Sequence, residues 1–151
     1  MARLRVHNFA VSLDGYAAGP AQSLDNPLGA GGTRLHEWVF ETQLGRAMIG
    51  LEGGEAGADN DFLAAGEKGI GTTVMGRNMF GPVRGSWGDN DWRGWWGEDP
   101  PYHHPVFVLT HHQRDPIEMA GGTTFHFVSD GIEKALSQAF DAARLARASG
   151  A

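Results

Sequence analysis

The sequence predicts an α/β fold built on a mostly parallel sheet. Segments with strand character and segments with helix character alternate along the 151 residues, and this order favours parallel strands because each crossover needs a helix. Residues 105–110 are apolar without alternation, as is typical of a strand covered on both faces. Asp130-Gly131-Ile132-Glu133 resembles a capping box that opens an amphipathic helix ending near Arg147.

The first half of the chain contains one predicted strand and two predicted helices. Large apolar residues recur at every second position near the end of segment 4–13, which predicts a strand, and Asp14-Gly15 is a turn signal after it. A loop rich in glycine and proline follows over residues 19–32. Thr33 can then cap one helix, and Asp59 can cap a shorter helix in a region interrupted by glycine.

The second half contains three further predicted strands. Residues 70–75 form a strand that runs into Gly76-Arg77-Asn78-Met79-Phe80, a segment typical of a strand-to-helix turn. A loop dense in tryptophan, glycine and aspartate follows over residues 81–101. Residues 105–110 are the predicted central strand, and residues 123–128 form a strand before the last helix.

Composition excludes several classes of protein. The chain has no cysteine, which rules out a disulfide framework, a thiolate metal site and a cysteine nucleophile. Its formal net charge of -6 argues against broad binding of nucleic acid, which needs a basic face. No stretch has the character of a membrane span or secretory signal, so we expect a single cytoplasmic domain without a membrane partner.

Polar segments follow the predicted strands, at the sheet edge where open α/β folds bind ligands. The turn at Gly76-Arg77 is the most informative, because glycine lets a ligand approach the backbone and the next helix would present free N–H groups to an anion. Arg77 would add a full positive charge. The alternative is a tight turn at Gly76 followed by a solvated arginine.

The segment after the central strand contains a second group of candidates. Thr110 could donate its hydroxyl to a phosphate, and His111, His112 and Arg114 could recognise an additional phosphate. Adjacent polar residues after a strand are also typical of an ordinary loop, so this interpretation stays open as well.

Asp14 and the paired histidines allow more than one interpretation. Asp14 lies at the end of a predicted strand, where it could orient a substrate or relay a proton, or simply form a turn before glycine. His103-His104 and His111-His112 do not have the spacing of metal ligands, because neighbouring side chains on an extended chain point to opposite faces. We therefore predict no metal site.

These motifs together resemble the dihydrofolate reductase family in the broad sense, in the branch similar to the reductase domain of bacterial riboflavin biosynthesis. Three motifs at strand ends carry the resemblance: Ser12-Leu13-Asp14-Gly15-Tyr16, Met75-Gly76-Arg77-Asn78-Met79-Phe80 and Val106-Phe107-Val108-Leu109-Thr110. Two more are typical of actinobacterial members: Asp99-Pro100-Pro101-Tyr102-His103-His104-Pro105 and Gly121-Gly122-Thr123-Thr124-Phe125. The similarity runs along nearly the whole chain.

The resemblance implies a three-layer α/β/α fold around a mostly parallel central sheet, with NADPH lying across the strand ends, and a homodimer. The residues that it assigns to the cofactor are Ala10 and Val11 beside the nicotinamide; Gly76, Arg77, Asn78 and Met79 at the pyrophosphate and 2′-phosphate; and Thr110, His111 and Arg114 on the adenosine side.

The chain departs from the family pattern at two places. The carboxylate that dihydrofolate reductase proper uses to bind the pterin would fall at Leu35, three residues before Trp38, so folate is not the expected substrate. Members of this branch continue with a strand, a Gly-Gly-Gly turn and further strands, whereas this sequence ends at Ala151. We expect residues 1–151 to form one domain that lacks this segment. Either the sequence is incomplete, or it belongs to a shortened member of the family.

The activity implied by the resemblance is that of an NADPH-dependent reductase. It would transfer a hydride to a carbonyl or imine carbon of a small pterin-like or pyrimidine-like heterocycle. Asp14, Tyr16 or an ordered water would supply the proton. The alternatives are a nucleotide-binding or sensing domain that keeps the fold without turnover, and a dimerising scaffold without a cofactor.

Overall fold

The computed structural model describes residues 3–7, 9–82, 84–88 and 91–148. The chain divides into a compact unit of residues 5–69 and a second unit that combines residues 3–4 with residues 70–148. The first unit is helical, whereas the second contains the sheet.

Short helices form the unit of residues 5–69. A 3₁₀ turn at Gly32–Leu35 is followed by α1 (Glu37–Glu41), α2 (Gln43–Met48) and α3 (Ala58–Glu67). The buried hydroxyl of Thr42 donates to the carbonyl of Val39 at 2.6 Å and accepts from the N–H of Gly45 at 3.0 Å, so it caps α2 where α1 ends. A Cβ at Gly45 would overlap the carbonyl oxygen of Val39, so this close approach requires glycine.

Both predicted helices of this unit form, but neither begins with the predicted cap. Gly31, with φ 74°, precedes the 3₁₀ turn, and Thr33 therefore lies inside the first turn. Gly57, with φ 142°, precedes α3, and Asp59 lies within its first turn. A carboxylate at that position still stabilises the helix, because it faces the positive end of the helix dipole.

The predicted strand over residues 4–13 does not form. Asn8 lies outside the described residues, and residues 3–7 and 9–13 adopt no strand structure. Their apolar side chains are exposed, with 85% of Val6 and 73% of Phe9 accessible. Alternation makes a strand only where a neighbouring strand can pair with its backbone groups, and none of the described strands pairs with this segment.

The same segment is attached to α3 through its polar side chains. Arg5 donates to the carbonyl oxygens of Gly66 and Lys68, at 2.5 and 3.1 Å, where the helix ends. His7 forms a hydrogen bond with the carbonyl of Phe62 at 3.0 Å. Carbonyl groups at a helix C-terminus lack intrahelical partners, so Arg5 satisfies them and interacts favourably with the helix dipole.

A four-stranded sheet forms the centre of the second unit. Its strands are β1 (Thr73–Gly76), β2 (Pro105–Leu109), β3 (Ile117–Glu118) and β4 (Thr124–Val128), in the order β1-β2-β4-β3. β1, β2 and β4 are parallel, whereas β3 runs antiparallel at one edge. The predictions of an α/β fold, of a mostly parallel sheet and of a central strand over residues 105–110 are therefore confirmed.

Two helices belong to this unit. α4 (Arg77–Phe80) is a single turn directly after β1, and α5 (Ile132–Ala148) follows β4. α5 agrees with the helix predicted to end near Arg147. Among the described residues, no helix combines the length and the apolar character needed to cross a membrane.

β2 separates two hydrophobic clusters. On one side, Val106 and Val108 belong to a cluster with Phe80 of α4. On the other side, Phe107 belongs to a cluster with Ala139 of α5. All three β2 side chains are buried, which explains why the sequence of this strand has no polar alternation.

His104 is a half-buried histidine next to the sheet. Its Nε2 forms a hydrogen bond with the hydroxyl of Thr73 at 2.8 Å, and the ring of Tyr102 lies 6.1 Å away, edge to face. Burial lowers the pKa of His104 to about 4, and the neighbouring His103 contributes to the same shift. The folded protein therefore keeps His104 neutral at pH values where the unfolded chain is protonated.

We expect the free energy of unfolding to fall as the pH falls through the range between the two His104 pKa values. His104 takes up its proton near pH 6.5 in the unfolded chain and at about pH 4 in the folded protein. No stability is therefore lost above pH 6.5, and the loss grows as the pH falls from 6.5 to about 4. His104→Gln should lose less stability than the wild-type protein between about pH 7 and about pH 4.5. Urea unfolding at both pH values measures this difference, and equal losses in the two proteins would contradict it.

Candidate anion-binding site

The turn after β1 places Arg77 at the carboxyl edge of the sheet. Gly76 ends β1, and α4 follows as a single turn. So short a helix has only a small dipole, and the backbone therefore contributes less to anion binding than the sequence pattern implied. Phe80 is buried and fixes the turn on the core, and the Arg77 side chain supplies the positive charge.

The Arg77 guanidinium connects the ends of neighbouring strands. Its Nη1 donates to the hydroxyl of Thr110 at 3.2 Å, and its Cζ lies 3.2 Å from the centre of the Trp87 ring. Thr110 is buried directly after β2, and its N–H donates to the carbonyl of Val128, at the end of β4, at 3.0 Å. Thr110 therefore links the carboxyl ends of β1, β2 and β4.

Arg114 approaches the same indole ring from the loop after β2. Its Cζ lies 4.8 Å from the centre of the Trp87 ring and 5.3 Å from the centre of the Phe127 ring. Like Arg77, it is half-buried. Two arginines from different turns of the chain therefore lie against one indole ring.

Trp87 is fixed by contacts on several sides. Its indole N–H donates to the carbonyl oxygen of His112 at 2.9 Å. Its ring meets Phe127 edge to face at 4.9 Å between centres, and Phe80 at 5.9 Å. The ring is buried in the hydrophobic cluster on this side of β2, so it is a rigid support whose face attracts cations.

Positive charge accumulates at this edge although the whole chain is acidic. Burial lowers the pKa of Arg77, and the charges of Arg114 and Arg84 lower it further. Burial also lowers the pKa of Arg114, Arg93 adds to that lowering, and Asp91 opposes it. Arginine stays protonated despite such shifts, so they record desolvation and mutual repulsion rather than a loss of charge.

Each of the two guanidinium groups has one buried nitrogen that lacks a hydrogen-bond partner among the described residues, Nη2 in Arg77 and Nη1 in Arg114. A buried donor without an acceptor costs about 1–3 kcal/mol, and more when it is charged. Anionic oxygens would accept from these donors, and their negative charge would reduce the repulsion of Arg77 by Arg114. The arrangement therefore fits an anion.

A cavity of about 430 Å³ opens beside Arg114, beyond the carboxyl end of β4. Its lining combines amide, hydroxyl, carboxylate and guanidinium groups with one aromatic ring, from Gln113, Arg114, Asp115, Phe127, Val128, Ser129, Asp130 and Gln138. This volume is in the range of small-molecule sites. A polar cavity next to a pair of cations fits a ligand that has both an anionic group and a neutral polar part.

The other residues predicted at this edge are exposed. Asn78 and Met79 lie in α4, and His111 follows Thr110 in the loop after β2. The carbonyl of Met79 accepts a hydrogen bond from the indole N–H of Trp95 at 3.2 Å. Their side chains are accessible to a ligand at the edge of the sheet, and their contacts with a cofactor stay a prediction.

Ala10, Val11, Asp14 and Tyr16 belong to the unit of residues 5–69. The carboxylate of Asp14 accepts a hydrogen bond from the hydroxyl of Ser12 at 2.5 Å, and the same hydroxyl accepts from the N–H of Tyr16 at 3.0 Å. Asp14 therefore helps to close a tight turn, which is the structural interpretation of this residue. The roles of these residues beside a nicotinamide or as proton donors stay predictions.

The sequence does not distinguish Trp87 from the other tryptophans of residues 81–101. Trp92, Trp95 and Trp96 occur in the same glycine-rich context, so no local pattern marks the one that supports the arginines. Phe127 was visible only as an apolar position in a predicted strand. Both residues enter the site through packing between segments that are distant in sequence.

No family model and no curated protein matches this chain. Within the described part of the chain, no group of three or more His, Cys, Asp or Glu side chains could hold a metal ion.

Removal of the Thr110 hydroxyl should destabilise the protein. Thr110→Val leaves the Arg77 guanidinium and the N–H of His112 without their shared acceptor, and we expect a loss of about 1 kcal/mol or more in the free energy of unfolding. Thr110→Ser keeps the hydroxyl and removes only a methyl group, so it is the matched control. Urea unfolding of the three proteins measures the effect, and a valine variant as stable as the wild-type protein would show that the hydroxyl contributes nothing.

Proposed function

We propose that the protein is an NADPH-dependent reductase that holds the phosphate groups of its cofactor at Arg77 and Arg114. The observation that carries the proposal is the pair of buried guanidinium nitrogens without partners at the carboxyl edge of parallel strands. Open α/β sheets bind their ligands at this edge. The resemblance of the sequence motifs to the dihydrofolate reductase family supplies the choice of cofactor and of reaction.

The arginine pair suits phosphate better than other anions. A planar guanidinium donates two parallel hydrogen bonds to phosphate oxygens, and the hydroxyl of Thr110 lies next to Arg77 as a further polar group. The net charge of -6 disfavours a long polyanion, because a nucleic acid needs an extended basic surface. A cofactor with a few phosphates needs only a local concentration of positive charge.

The cavity beside Arg114 supports an adenosine in the same proposal. Its carboxylates, Asp115 and Asp130, are acceptors for ribose hydroxyls, and its amides, Gln113 and Gln138, both donate and accept. Arg114 lies between this cavity and the ring of Trp87, so one side chain can contact both a nucleoside and its phosphate.

NADPH supplies the hydride in the proposed reaction. The task of the chain is to bind and orient the cofactor and a small heterocyclic carbonyl or imine substrate, with Ala10 and Val11 beside the nicotinamide. Asp14, Tyr16 or an ordered water is the proposed proton donor. The three-layer dihydrofolate reductase-like fold, the homodimer and a cytoplasmic location belong to the same proposal.

Arg77→Ala should weaken NADPH binding more than NADH binding. If Arg77 contacts the 2′-phosphate, the loss of a charge-assisted contact weakens NADPH by about tenfold or more, whereas NADH has no such group to lose. Arg144→Ala is the control, since it removes the same charge from an exposed ion pair with Asp141 on α5. Calorimetric titration of both cofactors measures the effect, and equal losses for NADPH and NADH would remove Arg77 from recognition of the 2′-phosphate.

NADPH should raise the melting temperature, because a ligand that binds only the folded state stabilises it by about 2.7 kcal/mol at a concentration of one hundred times its Kd. We expect its oxidation, followed by absorbance, with at least one member of a panel of pterins, pyrimidinones and quinones. Binding without oxidation across the panel would favour a nucleotide-binding or sensing domain without turnover. The absence of any thermal shift would contradict both functions.

A further inference from the structure

Trp87 lies beside two cations and has no role of its own in the proposed function. The Arg77 Cζ lies 3.2 Å from the centre of its ring, and the Arg114 Cζ lies 4.8 Å from it. Two long cationic side chains that repel each other would ordinarily separate into water. In this structure they stay together on one buried ring.

We propose that Trp87 is the positioning residue of the anion site: it holds both guanidinium groups against one indole ring, and the pair selects a phosphoryl group with two or more negative charges over a monoanion. This inference rests on the anion site of the proposed function. It adds the residue that organises the site and the charge of the group that the site selects.

The ring of Trp87 determines whether the pair persists. Attraction of a cation to an indole face and repulsion between two partly exposed cations are of the same order. Loss of the ring would remove the attraction to both arginines and leave their repulsion unopposed. Arg77 would keep its hydrogen bond to Thr110 at 3.2 Å, whereas the described hydrogen bonds include none from the Arg114 side chain.

The ring is itself immobilised. The carbonyl of His112 accepts its indole N–H at 2.9 Å, and Phe127 packs edge to face against it. His112 and Arg114 lie in the same loop after β2, so the hydrogen bond also fixes the loop that supplies the second arginine. The two guanidinium groups are therefore ordered before a ligand arrives, which lowers the entropic cost of binding.

The pair favours a multiply charged group because each arginine has its own unpaired nitrogen. A monoanion leaves a net charge of +1 at the pair, so one guanidinium stays without a counter-charge. A phosphoryl group has several oxygens that can accept from both guanidinium groups at once, and its second charge neutralises the second arginine.

Calorimetric titration of the protein with inorganic pyrophosphate, and separately with nitrate, tests the proposal. Trp87→Leu removes the ring, Trp87→Phe keeps an aromatic ring, and Trp96→Leu is the matched control. Trp96 stacks on Trp95 and donates to the Tyr102 hydroxyl, so its loss changes the same loop without touching the arginines. Circular dichroism establishes that each variant is folded.

We expect Trp87→Leu to bind pyrophosphate about tenfold more weakly than the wild-type protein. Trp87→Phe keeps an aromatic face but loses the hydrogen bond to His112, so it should lose less affinity than Trp87→Leu. Trp96→Leu should bind as the wild-type protein does, and nitrate should bind weakly to every variant. Wild-type affinity in Trp87→Leu, or equal losses in Trp87→Phe and Trp87→Leu, would overturn the positioning role. Nitrate binding as tight as pyrophosphate binding would overturn the selection by charge.

Arg77→Lys provides a second test for the case in which Trp87→Leu fails to fold, because this substitution leaves the hydrophobic core intact. Lysine keeps the charge but loses the flat guanidinium that stacks on the indole, so we expect pyrophosphate to bind about fivefold more weakly. Wild-type affinity in Arg77→Lys would show that charge alone suffices and would contradict the proposal.

NADPH titrations of the same variants separate this proposal from the reductase function. One outcome is that pyrophosphate affinity falls in the variants as expected while the wild-type protein does not bind NADPH. In that case the anion site and the role of Trp87 stand, and the reductase proposal fails. If NADPH binds equally well to the wild-type protein and Trp87→Leu, the positioning role fails while the reductase proposal stands.

Discussion

Burial of β2 on both faces is the constraint on which the carboxyl edge of the sheet depends. Val106 and Val108 occupy one face and Phe107 the other, so a shift of one residue in register would move all three side chains to the wrong side. The fixed register holds Thr110 beside the end of β4, and the pairing of β1 with β2 brings Arg77 within reach of Thr110. Apolar packing therefore determines where the polar groups of the site lie.

The arginines show how an acidic chain assembles a local positive site. Arg77 and Arg114, two of its 12 lysine and arginine residues, lie against one indole ring at this edge, and the charges of Arg84 and Arg93 act on them. Desolvation of the guanidinium groups and repulsion between their charges both disfavour such a cluster. The Trp87 ring attracts both cations and so favours it. A residue of the core thereby contacts both arginines, and each of their guanidinium groups keeps one buried nitrogen without a partner among the described residues.

Prediction from sequence succeeded where the chemistry is local and failed where it depends on a partner. The apolar run of β2 was enough to predict a central strand, because a strand buried on both faces has no polar alternation. The periodicity of α5 was enough to predict a helix, because a helix buried on one face repeats its apolar residues every three or four positions. The segment over residues 4–13 has the pattern of a strand, but its backbone pairs with no described strand, and Arg5 instead caps α3. Side-chain alternation describes a preference, whereas a strand also requires hydrogen bonds from a neighbour.

The sequence by itself determined the α/β class, the central strand, and Arg77, Thr110 and Arg114 as candidates, because each follows a segment whose apolar pattern marks a strand. Only the tertiary structure decided that these three residues converge, and that Trp87 rather than another tryptophan of its loop lies against both arginines. The reason is physical: a charge or a hydroxyl is a property of one residue, whereas the distance between two charges depends on how distant segments pack.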